Sequence, residues 1–318
     1  MAPVTFLIFN RPKHTAKVFE AIRARKPEQL FIIADGPRPG HAEDHDSCSE
    51  ARRVVNEGID WKCEVRRSFA DTNMGCGPRV ASGLSWVFDQ VEETVILEDD
   101  CLPDPSFFSF CDDLLERFRD DTRVMMISGD NFQFGKPVGR ASYYFSRHVH
   151  IWGWATWRRA WSQYDYTMAD WPEFKHEGLL RSIVTEPSAL RRWTGILDLA
   201  MDGHFNTWDY QWMFACWKNN GLSVIPSINL VTNIGCDDSG SHTAADELFR
   251  ETPRRRMPTP LTHPAAVVPN YEADRFTEQQ LGAPYRLTRR LRRKLGKLFA
   301  LLIPSDRRGI GTRGAETR

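Results

Sequence analysis

The sequence is short of most of the features that assign a function at sight. Its seven cysteines include no CxxC pair and run from Cys48 to Cys236 without the spacing of a disulfide framework or a zinc site. No run of about 18 apolar residues occurs, so no segment reads as a membrane-spanning helix. No charge of one sign prevails: 42 Lys+Arg stand against 42 Asp+Glu, a net of zero, which gives no reason to expect nucleic-acid binding. Gly75-Cys-Gly77 has Val80 where a dinucleotide fingerprint needs a third glycine. Gly129 to Lys136 is one residue too long for a P-loop, and Pro137 stands where Ser or Thr would hold magnesium. There is no GxSxG and no HExxH.

What is present is an alternation of apolar runs and helical periodicity over the first 130 residues, the pattern of a doubly wound α/β sheet. Strands are predicted at 4–9, 30–34, 63–69, 94–97 and 123–128. Thr15, Val18, Phe19 and Ile22 define one amphipathic helix; Val80, Leu84, Val87, Phe88 and Val91 a second; Phe107, Cys111, Leu114, Leu115 and Phe118 a third. Beyond residue 142 the pattern predicts a short strand at 143–145, a Trp-rich helix, helical stretches near 177–201 and from Trp208, and a strand pair at 222–225 and 228–233. Nine of the eleven Trp fall between Trp152 and Trp217. The expected organisation is a domain over 1–250, with a nucleotide-binding half at 1–130 and an acceptor half at 131–250. A Pro-rich arm at 251–285 and a basic tail at 286–318 follow.

Glu98-Asp99-Asp100 directly follows the apolar run Val95-Ile-Leu97. Ligands of open α/β sheets bind at the carboxyl ends of the strands. Three carboxylates crowded there call for a cation or hydrogen-bond donors, and a hard divalent ion, Mg²⁺ or Mn²⁺, suits all-oxygen ligands. A solvated acidic turn is the alternative.

With this motif the chain resembles nucleotide-sugar-dependent glycosyltransferases of the GT-A fold, whose hallmark is a DxD-like acidic motif at a strand end. Thr72-Asn-Met-Gly75 with Arg79 and Gly83 is similar to a pattern preceding that strand in many bacterial members. Gly153-Trp154 and Trp208-Asp209-x-x-Trp212 resemble segments of the inverting N-acetylglucosaminyltransferases of N-glycans, whose acidic motif is also EDD. The likeness covers about residues 4–235. It implies a mostly parallel GT-A sheet flanked by helices, a nucleotide-sugar donor, a divalent metal, and Asp100 as its direct ligand, with Glu98 and Asp99 meeting ribose or sugar hydroxyls. His242 is a candidate to complete the metal or diphosphate contacts, against a loop histidine with no role.

Asn10 and Arg11 end the first strand, where Arg11 can pair with a phosphate and the helix start at Pro12 adds favourable backbone dipoles. In similar enzymes an acid at the position of Asp35 accepts a hydrogen bond from the base, which uracil or another pyrimidine would satisfy, so a UDP-linked donor is expected; ordinary Asp-Gly turn chemistry is the other reading. Arg79, a cation in the first turn of its helix, hints at a bound anion. Asp209 is the candidate base for transfer with inversion, in a helix capped by Asn206 or Thr207. Among the clustered tryptophans Trp154 is, by resemblance, the candidate acceptor wall, and Trp157 and Trp161 read as a buried helix face.

Residues 286–318 hold eleven Lys+Arg and two Asp+Glu, with Leu287, Leu291, Leu295, Leu298 and Leu302 at helical spacing. Such a segment suits anionic lipid, or else docks on the protein's own acidic surface. The expectation is a cytoplasmic glycosyltransferase, peripheral on a membrane, acting on a glycan or lipid-linked acceptor. A sugar-1-phosphate nucleotidyltransferase and a non-catalytic carbohydrate-binding protein are the alternatives.

Overall fold

A computed structural model describes residues 1–235 and 252–280. In chain order the elements are β1 (Val4–Ile8), α1 (Pro12–Arg25), β2 (Gln29–Ala34), α2 (Ala42–Gly58), β3 (Glu64–Phe69), α3 (Cys76–Phe88), β4 (Glu93–Glu98), β5 (Cys101–Pro103) and α4 (Ser106–Arg117). Then come β6 (Val124–Ser128), β7 (Tyr143–Ser146), β8 (Trp154–Trp157), α5 (Arg158–Trp161), α6 (Trp171–His176), α7 (Pro187–Met201), α8 (Asp209–Lys218), β9 (Leu222–Pro226) and β10 (Val231–Asn233).

Eight strands form one sheet in the order β3-β2-β1-β4-β8-β6-β9-β7. The pairings β1–β2, β1–β4, β2–β3 and β6–β9 are parallel, while β8 runs antiparallel between β4 and β6 and β7 antiparallel beside β9. The fold is thus the expected α/β class, a mostly parallel sheet with helices on both faces. The helices follow the sequence spacing: α1 starts with Pro12 at its first position and buries Thr15, Val18, Phe19 and Ile22, the i, i+3, i+4, i+7 face. One core cluster holds the packing of α1 and α4 on the sheet, and another that of α3, α5 and α8.

Two expectations fail, each for a physical reason. The Trp-rich helix is instead strand β8 followed by a single turn, α5. All four residues of β8 are buried because the strand is central and covered on both faces, so its sequence shows no alternation to mark it as a strand. The strand pair at 222–233 does not pair with itself. β9 joins the main sheet, whereas β10 lies antiparallel to β5 in a separate two-stranded sheet. That small sheet follows the acidic motif directly, and the Ile234 amide donates to the Asp100 carbonyl at 2.8 Å.

Residues 252–280 lie back along the acceptor half. The Asn270 amide donates to the Phe145 carbonyl, the Ser146 hydroxyl to Asp274 at 2.6 Å, and Arg192 and Trp193 of α7 both to the Glu278 carboxylate. No helix among the described residues is long and apolar enough to cross a membrane.

Candidate active site

The carboxyl ends of β1, β2 and β4 carry most of the residues singled out from sequence. Glu98 closes β4, and Asp99 and Asp100 form the turn into β5. The Phe9 amide donates to Asp99 Oδ2 at 3.2 Å, and Arg11 Nη1 lies 3.3 Å from Asp100 Oδ2. The candidate phosphate cation and the candidate metal ligand are therefore neighbours. Gly235 closes over them: a Cβ there would sit 2.7 Å from Arg11 Nη1 and closer still to Asp100 Oδ2.

Burial raises the pKa of Glu98, and the charges of Asp100, Asp99 and Asp209 raise it further; Arg11 opposes them. Asp99 is raised by burial and by Asp100, against the Phe9 amide and Arg11. The motif thus holds more negative charge than its surroundings balance. Its donors are all carboxylate oxygens, which fit Mg²⁺ or Mn²⁺. Among the described residues no group of three ligating side chains surrounds one point. Such an ion would take Asp100 from the protein and the rest of its shell from phosphate oxygens and water, the usual manner for Mg²⁺.

Asp209 is the first residue of α8, and its charge is felt at Glu98. The opposing influences on it resolve in one direction. Desolvation raises its pKa, outweighing the Thr207 hydroxyl and the amides of Tyr210 and Asp209, which lower it. The expected caps act elsewhere. Trp208 is the N-cap of α8 and makes no side-chain capping bond, Thr207 donates to Asp209 Oδ1, and Asn206 Oδ1 accepts the Gly77 amide in the first turn of α3 at 3.0 Å. Asn206 thus ties the segment before α8 to the start of α3. Cys76, the first residue of α3, lies amid the carboxylates: after desolvation, Glu98, Asp209, Asp100 and Asp35 all push its thiol up.

Four expected binding residues have other work. Asp35 accepts four hydrogen bonds, from the amides of Gly36, Met74 and Gly75 and from Asn73 Nδ2, at 2.8 to 3.1 Å. That fills the acceptor sites of a carboxylate, so it holds the 73–75 turn and has none left for a base. Arg79, 7% exposed, donates to the carbonyls of Ala34 and Ser68, binding the ends of β2 and β3 rather than an anion. Trp154 is 1% exposed and stacks on Trp208 with centroids 5.3 Å apart, so its ring is core and not an acceptor wall. Asn10 donates to the buried Asp44 of α2 at 2.7 Å. His242 lies outside the described residues.

Cys76 and Gly235 were not among the residues chosen from sequence, and Asn206 was chosen only as a cap of α8. The one signal for them was Gly75-Cys-Gly77, which failed as a dinucleotide fingerprint but marks a real close approach. A Cβ on Gly75 would meet Asn206, and one on Gly77 would meet the Thr207 carbonyl at 2.6 Å.

No protein-family model and no curated protein matches the chain. Among solved structures, it is similar to residues 1–349 of TarS from S. aureus, with 11% identity over 73% of this chain and 59% of that one, TM-score 0.41. The chain therefore spans about three fifths of that TarS fragment. It is similar also to the galactosyltransferase LgtC solved with donor and acceptor sugar analogs (12% identity, 88% and 95% covered, TM-score 0.38). A third is mouse xyloside xylosyltransferase 1 (11% identity, 81% and 96% covered, TM-score 0.36).

Proposed function

We propose that the protein is a metal-dependent glycosyltransferase that moves a sugar from a nucleoside diphosphate sugar to a glycan or lipid-linked acceptor with inversion. The observation that carries this reading is the joint placement, at the carboxyl edge of the sheet, of the Arg11–Asp100 pair and of Asp209 within electrostatic reach of Glu98.

Breaking a sugar-phosphate bond leaves positive charge at the anomeric carbon and negative charge on the diphosphate. Arg11, at the entry to α1, holds a phosphate oxygen through charge-assisted hydrogen bonds aided by the helix dipole. Mg²⁺ or Mn²⁺ at Asp100 supplies, when bound, neutralisation of the leaving diphosphate. Glu98 and Asp99 accept hydrogen bonds from ribose or sugar hydroxyls. Asp209 takes the proton from the acceptor hydroxyl as it attacks, and its raised pKa makes it a stronger base than an exposed aspartate. Since Asp35 is saturated by its own turn, it gives no support for uridine over another nucleoside. The tail at 286–318 lies outside the described residues; its charge and leucine spacing support a site of action at an anionic membrane surface, on the cytoplasmic side.

The test is a panel of nucleoside diphosphate sugars incubated with the full chain, with Mn²⁺, with Mg²⁺ and with chelator. Metal-dependent release of nucleoside diphosphate from at least one donor is the expected result. No release from any donor, together with no calorimetric binding of UDP or GDP in either metal, would overturn the reading.

A further inference from the structure

Asp130 lies two residues beyond β6 and is 0% exposed. Its carboxyl faces its own amide and that of Trp152, yet neither oxygen makes a hydrogen bond of full geometry. His150, 3% exposed, is in the same condition: its ring lies against the Asp130 carbonyl, and neither ring nitrogen has a well-formed partner. Buried polar groups left this way are uncommon and mark a functional or hydrated site.

Their place in the sheet gives them a role. Ile96 of β4, Trp154 of β8 and Ser128 of β6 are in register. One residue beyond that register the Gly129 amide donates to the Gly153 carbonyl at 2.7 Å, which brings Asp130 beside the Trp152 amide. Before β8 the chain leaves the ladder, since the Ser128 hydroxyl donates at 2.7 Å to the carbonyl of His150, four residues from its register partner Trp154, so residues 150–153 fold over the end of β6. Gly153 has a φ of +66°, and a Cβ on it would meet Val231 and Leu97, so the segment is held against the strand that delivers the acidic motif. Phe132 lies tilted against His150 with centroids 4.5 Å apart and meets Trp152 edge-on at 5.1 Å. Trp152, like Phe132, is half-exposed, in contrast to Trp154, Trp208 and Trp212, which are buried.

We infer that Asp130 and His150 are a positioning pair behind the catalytic edge, fixing residues 151–153 so that Trp152 and the Gly153 backbone form the floor on which the donor sugar rests. The inference rests on the glycosyltransferase reading for its ligand, but not for the pair itself. Burial pushes the Asp130 carboxyl well up and the His150 ring down, and in the uncharged form that this favours each offers one donor and one acceptor to the backbone and to ordered water. The pair needs the shape and hydrogen bonding of an uncharged acid, and asparagine supplies both.

Asp130→Asn and Asp130→Ala separate this from other roles. With Ala, amide hydrogen exchange over 150–153 is expected to accelerate about tenfold, and KM for the donor sugar to rise about tenfold, for loss of one buried hydrogen-bonding group. The Kd for the free nucleoside diphosphate should not change. With Asn, both quantities are expected to return to within about threefold of the parent. If Asn is as impaired as Ala at an unchanged melting temperature, a charged carboxylate is required and the inference falls. It falls equally if Ala leaves exchange over 150–153 unchanged. Hydrogen exchange is read without substrate, so a protein that transfers no sugar would defeat the functional reading and still leave the pair tested.

Discussion

Arg11 Nη1 stands 3.3 Å from Asp100 Oδ2, joining the start of α1 to the turn after β4 across 89 residues of sequence. Both side chains are partly exposed, 25% and 16%, so the pair adds little to stability. Its value is in the site, where the two meet opposite charges on the donor. Arg11→Gln is expected to weaken nucleoside diphosphate binding at least about tenfold, as removal of a charge-assisted hydrogen bond does, with little change in melting temperature. Asp100→Asn should abolish the increment in affinity that Mn²⁺ confers. Calorimetry with and without Mn²⁺ reads both effects, and an Asp100→Asn protein with an intact Mn²⁺ increment would remove Asp100 from the metal site.

Asp209→Asn should cost about 10²- to 10⁴-fold in transfer, the range for a positioned general base, with nucleotide affinity retained. The raised pKa of Asp209 sets two further signs. Activity should fall as pH is lowered through that raised value, at higher pH than for an exposed aspartate. For stability, the folded-state pKa exceeds the unfolded one, so the folded protein binds more protons between the two and loses stability as pH rises through that window. Asparagine removes the penalty. The variant is expected to melt higher than the parent at neutral pH and level with it in acid. A lower neutral melting temperature would contradict the desolvation argument.

Asp35→Ala is expected to destabilise the protein by about 1–3 kcal/mol, because the amides of Met74 and Gly75 and the Asn73 side chain lose their shared acceptor. Any loss of nucleotide binding should be uniform across bases, since the turn and the start of α3 loosen together. A selective loss for uridine over guanosine nucleotides would restore Asp35 to base recognition.

The first 130 residues were legible because their strands and helices are local. β1, β2, β4 and the buried face of α1 all fall where apolar runs and 3.6-residue spacing put them. β8 was not, because a central strand covered on both faces carries no period, and Trp157 and Trp161 imitate one turn of helix. The site divides in the same way. Asp100 and Arg11 were singled out from strand ends and local chemistry, and the fold brings them within 3.3 Å. Asp35 and Arg79 were misread because what occupies them lies across the fold: Asp35 is filled by residues 73–75, and Arg79 by the carbonyls of Ala34 and Ser68. Trp154 was misread because burial depends on α8, which supplies Trp208 and Trp212 above it.

Gly235→Ala tests the closeness of the site without touching its charges. The new methyl group would fall against both Asp100 and Arg11, so one of them must shift. Nucleoside diphosphate binding is expected to weaken about tenfold, by misplacement of one charged contact, in a protein that melts near the parent temperature. Unchanged affinity would mean that the 235 backbone stands clear of the ligand-bound pair.

The neutral total charge conceals a division: residues 286–318 carry a net of +9 and residues 1–285 a net of −9. Each Lys or Arg near an anionic bilayer contributes about 1 kcal/mol, an attraction that fades beyond the Debye length of about 8 Å at physiological salt. The full chain is therefore expected to sediment with phosphatidylglycerol vesicles at low salt, to release at high salt, and to ignore phosphatidylcholine vesicles. Deleting 286–318 should abolish sedimentation and leave the acidic remainder repelled. Replacing Leu291, Leu295 and Leu298 with serine should weaken binding while preserving the salt dependence, since the proposed attachment draws apolar insertion from the leucines and attraction from the Lys and Arg. If the deletion binds as well as the full chain, the tail has no part in membrane attachment, and the acidic surface of the protein itself becomes the partner that its charge requires.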